Sequence, residues 1–295
     1  MNVKRLATLF LLLPLACDKP TGPLPREPIT VFATMYPLAE IAREIGGEDV
    51  RTDWLIELGK PIDGFILTRR ERDRMASTDY TLCDSYNRTE TWAAIDLAQR
   101  KNTGRVMTCD SLPASGEPHY PGKGLIYLDP TAVKQLTPVL RDAFARIWPE
   151  HAEAMRRRAE AFSAQLDALI AKYPPGSFGG GKVMALSPLF NPLLARFGID
   201  YVVEERDAYR LSDADLAAIK YAASRAGCGA LLLPYDLPPG TVARIEDGTG
   251  LNSFPMDACG YSGFKQHDTY LGLLQADLEQ LRAATSGPSP RGEVR

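Results

Sequence analysis

Short apolar runs rich in β-branched and aliphatic residues alternate with longer amphipathic stretches from residue 29 to about residue 282. The first half reads strand 29–34, helix 37–45, strand 50–55, helix 68–76, strand 80–83, helix 90–99 and strand 105–109. Pro37 opens the first helix, and Gly46-Gly47 ends it. Strand and helix in strict alternation predict a parallel α/β lobe of four strands. Residues 111–124 are rich in Pro and Gly and read as loop. From Pro130 to Tyr173 the pattern is helical, and Pro149 starts a new helix within it. An unbroken helix from Pro149 to Tyr173 would run about 37 Å at 1.5 Å per residue, the length of a connector between two lobes. Pro174-Pro175-Gly176 ends it.

A second alternating series follows, with strands 183–186, 201–204, 230–233 and 251–256. Its helices are 192–197, 213–226 with Ser212 as N-cap, 240–246, and a terminal helix from about Lys265 to Arg282. The predicted fold class is therefore α/β: two lobes, each a parallel four-stranded sheet with flanking helices, joined by a long central helix. The expected organisation is a first lobe over 29–129, connecting helices over 130–175, a second lobe over 176–285 and a frayed tail over 286–295.

The chain's beginning carries a different signal. Lys4-Arg5 precedes an apolar run over 6–13 and then Leu15-Ala16-Cys17. This reads as a signal peptide over 1–16, its run too short to cross a bilayer as a helix. The small residue before Cys17 resembles a bacterial lipobox, which implies lipid on Cys17 and membrane anchoring; simple secretion is the alternative. Residues 17–28 hold four prolines and read as an extended, solvated tether. Either route places the chain outside the cytoplasm, at the periplasm or cell surface.

Composition narrows the function classes. At 295 residues, 45% hydrophobic and 24% charged, the chain is long enough for two cores. The formal charge of −3, or −5 once Lys4 and Arg5 are removed, leaves no basic excess for a nucleic-acid backbone. The chain lacks a Gly-x-Ser-x-Gly elbow and a His-Glu-x-x-His pair, so an enzyme is disfavoured. Gly179-Gly180-Gly181 precedes a strand and lacks a following Gly-Lys-Ser/Thr, so it is not a phosphate loop. Arg156-Arg157-Arg158 reads as a solvated helix face.

Several segments in order resemble the solute-binding proteins of metal-uptake ABC transporters, the zinc and manganese group. Thr34-Met35-Tyr36-Pro37-Leu38-Ala39-Glu40-Ile41 with Ile45-Gly46-Gly47 is similar to the family's first strand–helix junction. Residues 59–68, Glu90-Thr91-Trp92 and Tyr127-Leu128-Asp129-Pro130 match its later motifs. The resemblance implies a monomer that captures a divalent metal, zinc or manganese, in the interlobe cleft and delivers it to an ABC transporter permease. A rigid central helix implies small lobe motions.

The ligand positions depart from the family's three His and one acid. Matching by position, the first His becomes Asp63, the second Leu125 and the third Ser187, while the acid is kept as Asp257. Three possibilities stay open. An oxygen-preferring ion could use Asp63, Asp257, Ser187 and water. Replacement ligands could come from His119 or Cys259. Or the cleft has changed ligand class altogether. A separate alternative to transport is a non-transporting lipoprotein that keeps the scaffold for adhesion or for handing a ligand to a partner. His151 and His267, the other two of three histidines, read as surface or satisfied residues. Cys83 and Cys109 end consecutive strands and would lie side by side in a parallel sheet, so a disulfide is conceivable there. Cys228 and Cys259 fall at opposite ends of their strands and are expected to remain thiols.

Overall fold

The computed structural model describes residues 27–56, 67–84, 106–108, 124–260 and 267–286. The first lobe contains β1 (Ile29–Ala33), α1 (Tyr36–Gly46), β2 (Val50–Trp54), α2 (Arg69–Ala76), β3 (Tyr80–Cys83) and β4 (Val106–Thr108). Its four strands are parallel and ordered β2-β1-β3-β4. The connector is α3 (Pro130–Ile147), a turn of 3-10 helix at Pro149–His151, and α4 (Ala152–Lys172). The second lobe contains β5 (Lys182–Ala185), α5 (Asn191–Arg196), β6 (Tyr201–Val203), α6 (Asp213–Ala226), β7 (Cys228–Pro234), α7 (Pro239–Thr249), β8 (Asn252–Met256) and α8 (Tyr270–Ser286). Its strands are also parallel, ordered β6-β5-β7-β8. The two orders are the same pattern, with the lobe's first strand second in the sheet and its second strand at the edge.

Local chemistry accounts for the ends of these elements. Gly47 takes φ of +59° beyond α1 and returns its N–H to the Arg43 carbonyl, a backbone turn that glycine adopts without penalty. Thr68 and Glu71 form a capping box on α2, and Ser212 and Asp215 form another on α6. Pro130 and Pro149 begin helical segments, where a missing N–H costs nothing. The first turn after Pro149 is 3-10, so the α-helix of the connector starts at Ala152 and is about 32 Å long, shorter than the pattern predicts.

Other boundaries also move. The terminal helix starts at Tyr270 instead of near Lys265 and runs on to Ser286, a residue the sequence places in the tail. Cys228 is the first residue of its strand instead of preceding it. Of the triple arginine, Arg156 and Arg157 pair with Glu153 and Glu160 on the exposed face of α4. Arg158 instead turns inward: its Nη2 donates to Asp49 Oδ2 at 2.7 Å and its Nε to the Ile45 carbonyl at 3.0 Å. His151 Nδ1 reaches the other Asp49 oxygen at 2.7 Å, so the connector is tied to the end of α1. The predicted helix 90–99, the signal segment, the tether up to Arg26 with Cys17, and the tail beyond Ser286 lie outside the described residues.

One apolar cluster runs through both lobes and the connector, from Phe32 and Leu38 through Leu136, Phe144 and Phe162 to Leu193, Met256 and Leu278. Full burial of such side chains contributes about 1.5–3 kcal/mol each. A second cluster, including Leu211, Ile219, Leu231 and Ile245, lies under α6 and α7.

Candidate functional site

In a parallel sheet, ligands bind beyond the carboxyl ends of the strands, where loops converge and backbone polar groups are left unpaired. In the second lobe the residues just past those ends are Leu186 and Ser187 after β5, Tyr235 after β7 and Asp257 after β8. The Tyr235 N–H donates to the Met256 carbonyl at 2.9 Å, which keeps the ends of β7 and β8 together. In the first lobe the corresponding residues are Thr34 to Tyr36 after β1, Leu55 after β2 and Asp84 after β3.

Asp257 is the centre of the second-lobe cluster. Its carboxylate is 4% exposed. Oδ1 accepts the backbone N–H groups of Cys259 and Gly260, each at 2.9 Å, and Oδ2 lies 2.7 Å from His267 Nδ1. The Asp257 N–H donates to Asp277 Oδ1 at 2.8 Å. Burial, then the charge of Asp257, raise the Asp277 carboxyl well above the usual carboxylate range, and its Oδ2 has no hydrogen-bond partner among the described residues. His267 is 2% exposed and meets the Tyr235 ring edge to face at 5.0 Å.

Tyrosine hydroxyls join this cluster to the first lobe. Tyr36 donates to the Asp268 carbonyl at 2.6 Å, and Tyr127 donates to the Ala258 carbonyl. Tyr270 donates to the Tyr127 carbonyl at 2.6 Å. Burial and then the neighbouring Glu40 push the Tyr36 hydroxyl up to about 12, so it is a donor throughout the physiological range. Trp54 packs edge-on against the same ring at 5.0 Å.

Gly260 makes the approach of Tyr36 possible: its φ is +75°, and a Cβ there would lie 2.6 Å from Tyr36 Cδ1. Gly260→Ala is expected to cost about 1–3 kcal/mol, combining the left-handed backbone with the displaced ring, and denaturant unfolding measures it.

Two buried acids fix the crossing between the lobes. Asp84 accepts the N–H groups of Ile126 and Tyr127, each at 3.0 Å. Asp129 accepts Nε and Nη2 of Arg196 at 2.8 Å each and caps α3 by accepting the Thr131 N–H at 2.8 Å. Leu125 lies on this crossing. It is wholly buried, its N–H donates to the Leu189 carbonyl at 2.9 Å, and its side chain belongs to the continuous core. Leu125 is thus a packing residue.

Ser187 is half-buried and receives the Leu189 N–H at 3.4 Å as a turn cap. Cys259 is half-buried. Burial and then the bond to Asp236 raise the nearby Tyr209 hydroxyl above its usual range. Cys228 is a buried thiol donating to the Val183 carbonyl at 3.6 Å. Cys83 pairs in register with Thr108 on β4, while Cys109 lies outside the described residues, as do Asp63 and His119.

Ser187, Asp257 and Cys259 therefore share the strand-end side of the second lobe. Among the described residues no three His, Cys, Asp or Glu side chains are grouped to hold a metal ion. The sequence reading missed His267, Tyr235, Tyr36 and Asp277 as members of this cluster. Only the Tyr-Pro junction at Tyr36 carried a signal; the separation of ten positions between Asp257 and His267 is no recognisable spacing.

Two parallel α/β lobes, with strand ends carrying the polar cluster and one connector of two helices, define the architecture of a two-lobe solute-binding protein. The chain belongs to the family described as zinc-uptake complex component A, periplasmic, whose model matches residues 31–284. Among solved structures, the zinc-bound AdcA of Streptococcus pneumoniae is 17% identical with a TM-score of 0.73, over 90% of this chain and 59% of that one. The ZnuA-like domain of AdcA alone is 16% identical with a TM-score of 0.73, covering 88% of this chain and 100% of the domain. The periplasmic zinc-binding protein TroA of Treponema pallidum is 14% identical, TM-score 0.72, over 88% of this chain and 100% of that one. FpvC of Pseudomonas aeruginosa, solved with Mn2+, is 16% identical, TM-score 0.67, over 87% and 99%. No curated protein matches the chain by sequence. Among the described residues no helix is long and apolar enough to cross a membrane.

Proposed function

We propose that this chain is the extracytoplasmic solute-binding component of an ABC importer, capturing a divalent metal ion between its lobes and handing it to a permease. The observation that carries this reading is the family match over both lobes combined with a buried acid, Asp257, immediately past the end of β8. Zinc and manganese are the candidate cargo, and Asp63, Asp257, Ser187, His119 and Cys259 are the candidate donors. The working unit is a monomer. Cleavage before Cys17 and lipid on that residue would anchor it, and residues 17–28 would act as the tether. Metal delivery changes coordination bonds but no covalent bond of a substrate, in keeping with a carrier that is not an enzyme.

Metal content of the purified mature protein after exposure to zinc or manganese tests the reading. Asp63→Ala and Asp257→Ala are each expected to weaken binding at least about tenfold. A wild-type chain that retains neither ion would contradict it. That result would favour the second reading, a non-transporting lipoprotein that keeps the scaffold but has lost metal binding, which the wholly buried, donor-free side chain of Leu125 supports.

A further inference from the structure

We propose that Tyr36 is a positioning residue that latches the rim of the interlobe boundary, so that breaking its hydrogen bond to the second lobe sets how fast cargo leaves. The latch stands on geometry; its effect on release rests on the carrier reading above. Three tyrosine hydroxyls bond across the lobes and their crossing, and they are not equivalent. The bonds from Tyr127 to the Ala258 carbonyl and from Tyr270 to the Tyr127 carbonyl are buried. The bond from Tyr36 to the Asp268 carbonyl, at 2.6 Å, is exposed. A bond that water can replace opens at lower cost than a buried one, whose partners would be left unpaired. The lobes therefore part first at Tyr36 and pivot on the buried pair.

Tyr36 is a two-point grip. It opens α1 just beyond the carboxyl end of β1, and Pro37 behind it sets the backbone of the first turn. Its ring lies against Gly260, where a Cβ would come within 2.6 Å of Cδ1, while its hydroxyl reaches Asp268. Gly260 lies shortly after β8 and Asp268 shortly before α8, so one first-lobe side chain touches both. Trp54, at the end of β2, backs the ring at 5.0 Å.

Glu40 gives the hydroxyl a second position. A phenol carries one proton and donates to one acceptor at a time. Glu40 lies one helical turn beyond Tyr36, is buried, and pairs with Arg43 at 2.6 Å. Burial, and then Glu40 through its charge and hydrogen bonding, hold the proton on the Tyr36 oxygen. When the Asp268 carbonyl moves away, the Glu40 carboxylate accepts that proton's hydrogen bond within the first lobe. Opening thus exchanges one bond for another instead of losing one.

The test compares wild type with Tyr36→Phe, which keeps the ring and deletes the hydroxyl. Hydrogen exchange of the metal-free chain is read at the Cys259 and Gly260 amides beside the latch, and at the Ile126 and Tyr127 amides on the pivot side. Exchange at Cys259 and Gly260 is expected to rise about 2–10-fold, the worth of one hydrogen bond, with Ile126 and Tyr127 unchanged. When Zn2+ is chased from the loaded chain with a chelator, its release rate is expected to rise by a similar factor, while its association rate stays within about twofold of wild type.

Unchanged exchange at Cys259 and Gly260 would overturn the proposal. An equal rise at all four amides would also overturn it, marking a general loss of stability instead of a local opening. So would unaltered zinc release from a variant whose exchange is faster. If wild type binds no Zn2+, the metal-cargo reading falls, and the exchange measurement still decides the latch.

Discussion

Replacing Arg196 by Met is expected to lower the unfolding free energy by about 3–5 kcal/mol, because it strands a carboxylate that has no solvent exposure. Asp129 receives both guanidinium nitrogens at 2.8 Å and the Thr131 N–H at 2.8 Å, and the variant removes the guanidinium. Arg196 ends α5 in the second lobe and Asp129 caps α3 of the connector, so one ion pair joins two units of the fold. The guanidinium is 22% exposed, which places the loss toward the lower end of that range. Thermal melting should fall by about 6–15 °C for a chain of this size. Arg196→Lys should recover little, since an ammonium cannot match the two-pronged geometry. The double variant Asp129→Asn with Arg196→Met should recover much of the loss, because no buried charge is left unpaired. A melt of Arg196→Met within about 2 °C of wild type would show that the pair does not hold the lobes.

Asp277→Asn is expected to raise stability at neutral pH and to flatten its pH dependence. Burial raises the folded-state pKa of Asp277 well above the ordinary carboxylate value, with Asp257 adding to the shift. The folded chain therefore binds more protons than the unfolded one above about pH 4, and stability falls as pH rises from there toward the folded-state pKa. Below the unfolded pKa both states are protonated, and the wild-type carboxyl carries no such penalty. Asn keeps a carbonyl oxygen for the Asp257 N–H and never ionises. Wild type and variant should thus melt close together near pH 4 and diverge toward pH 8, with the variant higher. Parallel melting curves from pH 4 to pH 8 would contradict the assignment.

The fold was legible because each buried parallel strand reads as a short apolar run, as in Ala230 to Leu233, and proline or glycine marks most helix ends. Capping at Ser212 followed from local chemistry alone. Where reading and structure parted, the cause was mostly long-range. Arg158 looks like its two solvated neighbours until folding brings Asp49 and the Ile45 carbonyl to it. His267 lies in no periodic pattern, and its partners Asp257 and Tyr235 come from two different strand ends. Leu125 reads as an apolar residue in the sequence, but its burial against the second lobe depends on the crossing over Gly124 to Asp129. Asp63, His119 and the Cys83–Cys109 disulfide expectation involve positions outside the described residues, so the first lobe's share of the ligand set is carried by sequence alone.

An anomalous-scattering map from crystals grown with zinc tests the central claim most directly. A single strong peak between the carboxyl ends of the two parallel sheets, within coordination distance of second-lobe groups at the end of β8, is the predicted result. Zinc confined to outer surfaces, or an empty interlobe space at saturating metal, would contradict it.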